Sequence, residues 1–80
     1  MPVVFHWNGY RFYFYSQENN EPVHIHVEKA EASAKFWIEP RIEEVYSYGF
    51  TSGQRKEIRK FIQENSEHIK KAWYEHFKNK

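Results

Sequence analysis

The dipeptide Asn8-Gly9 restricts what this chain can become more than any other pair of residues in it. It separates Val3-Val4-Phe5-His6-Trp7 from Tyr10-Arg11-Phe12-Tyr13-Phe14-Tyr15, two runs rich in β-branched and aromatic side chains. Asn and Gly supply the two positive-φ positions of a type I′ turn, whose twist suits antiparallel strands. A two-residue loop sets the register. Trp7 then faces Tyr10, Phe5 faces Phe12 and Val3 faces Phe14, and the six share the core side of the hairpin because strand side chains alternate. Val4, His6, Arg11, Tyr13 and Tyr15 take the opposite side. A slip of one residue would exchange the two sets.

Ser16 to Pro22 is polar and turn-rich and reads as a loop. The stretch Glu21-Pro22-Val23-His24-Ile25-His26-Val27-Glu28 reads as a strand entered through a proline, with Val23, Ile25 and Val27 inward. His24, His26 and Glu28 point the other way, and two histidines at i and i+2 stand about 7 Å apart on one surface. Ala30 to Ser33 forms a second connection. Ala34 to Glu39 alternates again, with Ala34, Phe36 and Ile38 inward and Lys35, Trp37 and Glu39 outward, until Pro40 ends the strand. Residues 41–50 fit either a helical turn on Ile42, Val45 and Tyr46 or a short edge strand from Val45 to Tyr48.

Thr51 and Gln54 have the spacing of a capping box. Ile58, Phe61, Ile62, Ile69, Ala72, Trp73 and Phe77 then fall within one helical stripe. One continuous helix would run about 40 Å, roughly twice the length of a six-residue strand. A break at Asn65-Ser66, both good caps, lets two helices fold back on the sheet. The expectation is a single domain over 1–80, a small two-layer α+β fold with an antiparallel four-stranded meander (1–40), a connection (41–50) and a helical part (51–78).

Eighty residues are near the lower limit for a self-sufficient core, and the absence of cysteine rules out disulfides and thiolate zinc sites. Three Trp, six Tyr and seven Phe can compensate by burial or by meeting a partner. No apolar run is long enough to span a membrane and the first residues lack the features of a signal peptide, so a cytoplasmic location is expected. Residues 1–50 carry four Lys/Arg against seven Glu, whereas residues 51–80 carry eight against four. The basic C-terminal third hints at an anionic partner.

With helices on one side, the other side of the sheet collects His6, Arg11, Tyr13, Tyr15, His24, His26, Glu28, Lys35, Trp37 and Glu39. Four readings fit. Such a face can be ordinary sheet surface held by cross-strand pairs. Its rings can stack on bases while Arg11, Lys35 and the helix lysines meet phosphates. His24 and His26, with His6 or Glu28, can supply imidazole ligands to zinc, although two histidines are an incomplete site. Finally, His24 and His26 can divide general base and general acid roles in metal-independent RNA cleavage, with Arg11 or Lys35 holding the phosphate. Arg11, Tyr13, Tyr15, Lys35 and Trp37 are the candidate substrate-binding residues in that case.

The runs Gly9-Tyr10-Arg11-Phe12, Asn20-Glu21-Pro22 and His24-Ile25-His26-Val27-Glu28 resemble the small bacterial family catalogued as domain of unknown function 4160. So do Ala34-Lys35-Phe36-Trp37, Glu39-Pro40, Gly49-Phe50, Glu64-Asn65 and Ala72-Trp73. The resemblance covers nearly the whole chain. Family members often have a second proline where this chain has Val23, a departure that leaves both histidines in place. What the resemblance implies is a component of a two-gene module, beside another small protein, with a toxin–antitoxin arrangement in which this chain would be the toxin acting on RNA. It equally implies a protein partner covering the same face. A homodimer through the aromatic sheet is a further expectation from the ring content.

Overall fold

The computed structural model describes residues 3–15 and 20–77. Five antiparallel strands, β1 (Val3–Trp7), β2 (Tyr10–Tyr13), β3 (His24–Lys29), β4 (Ala32–Trp37) and β5 (Glu43–Tyr48), precede two helices, α1 (Ser52–Glu64) and α2 (Ser66–Phe77). The strands neighbour one another in chain order, so the sheet is a meander with β1 and β5 at its edges. The α+β architecture is as expected, but the sheet has five strands rather than four. The fifth was obscured by a bulge. Lys35 opposes Tyr46 while Phe36 opposes Glu44, so Val45 is an extra residue that breaks the period-two pattern.

Asn8 (φ 53) and Gly9 (φ 84) occupy the first turn, with Trp7 opposite Tyr10 and Phe5 opposite Phe12 as expected. Beyond Phe5 the register shifts. Val3 opposes Tyr13 instead of Phe14, Val4 packs on the core, and Val3 is left 41% exposed. The bulge thus exchanges the two valines between faces. The β3–β4 connection is also tighter than the sequence suggests: Lys29 already opposes Ala32, leaving Ala30 (φ 53) and Glu31 as the turn.

The core forms where the inward residues of β2, β3 and β4 meet Ile58 and Ile62 of α1 and Ile69 and Trp73 of α2. Phe61 extends it towards β1, with its ring 5.1 Å from Phe5 and 4.2 Å from Trp7. At the start of α1, the Thr51 hydroxyl accepts from the Gln54 amide at 3.1 Å and the Gln54 side chain accepts from the Thr51 amide at 2.9 Å. Asn65 separates the helices. Its amide reaches the Phe61 and Ile62 carbonyls, its side chain donates to the Phe61 carbonyl at 2.8 Å, and its own carbonyl accepts from Ile69 at 3.1 Å. The break therefore falls where two capping residues stand together. Residues 16–19 of the expected loop and residue 78 of the expected helix lie outside the described residues.

Candidate functional site

Three cross-strand rows make up the outer face of the sheet. His6, Arg11, Glu28, Ser33 and Tyr48 form the first; Tyr13, His26, Lys35 and Tyr46 the second; His24, Trp37 and Glu43 the third. Tyr15 follows β2 and lies 5.5 Å from Tyr13 and 4.9 Å from His26, ring to ring. The residues singled out as catalytic or substrate-binding are therefore gathered on one surface. The sequence reading missed Tyr46 and Tyr48, which stack on each other at 5.2 Å. Their alternation was the available signal, and the Val45 bulge interrupted it.

His24 is fully buried, at 0% exposure, and its Nδ1–H donates to the Pro22 carbonyl at 2.9 Å. A carbonyl can only accept, so this bond selects the tautomer. Its ring stands 5.2 Å from His26, 5.6 Å from Trp37 and 4.8 Å from Trp73. Trp73 comes from α2, so a helix residue helps to bury an imidazole that alternation alone places on the uncovered side. The Glu21 carboxylate lies 3.8 Å from Nδ1.

His26 is 6% exposed and stacked on Tyr13 at 5.3 Å with 21° between the ring planes. Tyr13 in turn carries the Arg11 guanidinium 4.5 Å above its ring. Burial, hydrogen bonding with Tyr15 and the nearby Glu28 carboxylate push the Tyr13 hydroxyl well above its ordinary value. Arg11 donates twice to Glu28, and Tyr13 donates to the same carboxylate at 3.4 Å. Lys35 binds Glu21 at 3.1 Å and lies 4.7 Å from the Trp37 ring centre. Each strand cation on this face is thus held by a carboxylate and laid against an aromatic ring. Rings remain accessible around them, Tyr15 at 45% and Tyr48 at 66% exposure.

The register also places His6. It opposes Arg11, which opposes Glu28, so it stands two strands from β3 and two residues out of line with His26. Strand spacing and rise separate the two positions by roughly 12 Å. Among the described residues, no three His, Cys, Asp or Glu side chains converge to hold a metal ion. Zinc sites ordinarily draw three or four protein ligands, and the His24 Nδ1 is already directed at a carbonyl.

No helix of the described residues is long and apolar enough to cross a membrane. Neither the curated proteins nor the solved structures include a match to this chain. The family described as a domain of unknown function (DUF4160) matches residues 9–74, most of the chain, and the protein belongs to that family.

Proposed function

We propose that this protein is a non-catalytic partner-binding module of a two-gene pair, docking a small protein encoded beside it through the outer face of its sheet. One observation carries the reading: Arg11 is held by Glu28 and Lys35 by Glu21, while Trp37, Tyr15, Tyr46 and Tyr48 surround these pairs. A phosphate backbone binds through cations that neutralise it, and here it would have to displace two carboxylates. A protein surface asks for outward tyrosine and tryptophan around satisfied polar pairs, the composition of interface centres. His24 and His26 then serve as the packed support beneath the face, with the Pro22 carbonyl and Trp73 holding His24 in place.

Calorimetric titration with the neighbouring gene product tests the reading, alongside cleavage of a labelled single-stranded RNA. Trp37→Ala and Tyr48→Ala are expected to weaken partner binding by about tenfold or more, the loss typical of a central aromatic contact. All forms of the protein should leave the RNA intact. RNA cleavage that is lost in His26→Asn while partner binding persists would establish the opposite reading, a toxin acting on RNA through His24 and His26.

A further inference from the structure

Edge strands are ordinarily protected by charge, proline or short length, because their outward N–H and C=O groups invite another strand. β5 starts with Glu43 and Glu44, but β1 contains neither an acidic residue, a lysine, an arginine nor a proline from Val3 to Trp7. Its one irregularity is the register shift next to Val3. From Phe5 to Trp7 it pairs regularly with β2 on one side, and no described strand lies on the other.

Beside this edge is a groove of about 260 Å³, lined by Trp7 of β1 and by Glu57, Lys60, Phe61 and Glu64 of α1. Its floor is rigid. Trp7 stacks on Phe61 at 4.2 Å, and Glu57 is anchored by Asn8 and by the Tyr10 hydroxyl. Glu57 and Glu64 line it with a single lysine, Lys60, and because Glu57 accepts only from the neutral Asn8 and Tyr10 the lining keeps a net negative charge that favours a positive group. A strand added to β1 would place every second side chain on the helix side, over this groove. Long basic side chains suit it best, since their stems cover aromatic surface while their heads reach the carboxylates.

We propose that β1 is a strand-addition site, at which an extended segment of a protein partner pairs with the free edge and inserts a lysine or arginine between Trp7 and Glu64. This surface is separate from the outer face and does not depend on the docking proposed there.

Selection of a displayed library of random linear peptides on the full chain tests the idea, followed by titration of the selected peptides and amide NMR. Enriched peptides are expected to carry Lys or Arg within β-branched runs and to slow hydrogen exchange along β1. Glu64→Lys should weaken them by about tenfold or more, as loss of a close charge pair does, whereas Tyr48→Ala on the outer face should leave their affinity unchanged. Failure to enrich any peptide, enrichment without basic residues, or indifference to Glu64→Lys would overturn the proposal. So would a chain that uses β1 to pair with a second copy of itself, seen as a dimer by sedimentation and broken by Val3→Lys without any peptide binding.

Discussion

Gly49 stands at φ +83 where β5 leads into α1, and a Cβ there would lie 3.1 Å from the Ala32 Cβ and 3.2 Å from its Cα. Backbone conformation and backbone proximity both demand glycine. Gly49→Ala should therefore cost about 1–3 kcal/mol in a urea denaturation series, and a loss within experimental scatter would show that the β3–β4 turn yields. Two tyrosines give a second residue-scale prediction. Burial, the hydrogen bond to Glu57 and the Glu57 charge push Tyr10 up to about 12 from its ordinary 10.0, and Tyr13 is raised by burial, Tyr15 and Glu28. Folding disfavours both phenolates, so this stabilisation is complete below pH 10 and is lost as pH rises through 12 and beyond. Absorbance titration of phenolate should resolve a late phase that shrinks in Tyr10→Phe. A single phase near the ordinary value would contradict the packing around Tyr10.

At the scale of elements, α1 is tied to both ends of the sheet. Glu57 accepts from Asn8 and Tyr10 at the first hairpin, and Arg55 donates to Glu44 of β5 at 3.0 and 2.6 Å. The hydrogen bond from Arg55 holds the Glu44 carboxyl below its ordinary 4.5, and its desolvation opposes this only in part. That contribution is present above pH 4.5 and is lost as pH falls through the lowered value. Glu44→Gln should accordingly flatten the acid limb of a stability-versus-pH curve without changing the alkaline limb. The pair is partly exposed, so its contribution at neutral pH is small. Asn65 is the other element-scale joint, since it closes α1 and opens α2. Asn65→Ala should cost about 1 kcal/mol by loss of the side-chain hydrogen bond to the Phe61 carbonyl, with thermal unfolding as the readout. An unchanged midpoint would mean that packing alone sets the angle between the helices.

For the molecule as a whole, His24 joins three parts: the Pro22 carbonyl ahead of β3, the sheet at His26 and Trp37, and α2 at Trp73. Its removal leaves a cavity and takes a donor from the Pro22 carbonyl where those parts meet. His24→Ala is expected to lose about 2–4 kcal/mol, measured by urea unfolding. His26→Asn is the safer substitution for functional assays, because loss of activity in a His24 variant would otherwise report unfolding. If His24→Ala unfolds like the parent chain, the imidazole is not a structural joint and a direct chemical role gains ground.

Local chemistry made several features legible from the residues alone. Asn8-Gly9 accepts positive φ, Thr51 and Gln54 are spaced for mutual capping, Asn65-Ser66 can end one helix and begin another, and His24, Ile25 and His26 must alternate. Each depends on a few neighbours in the chain. The Val4 and Val45 bulges were not legible, because an inserted residue is stabilised by the partner strand and leaves only a broken period in the sequence. Nor was the burial of His24. Alternation could place it opposite Ile25, but only the packing of α2 put Trp73 beside it. The charge of the outer face was hidden for the same reason: Arg11 and Lys35 stand 17 and 14 residues from the glutamates that hold them, and folding alone brings them within reach.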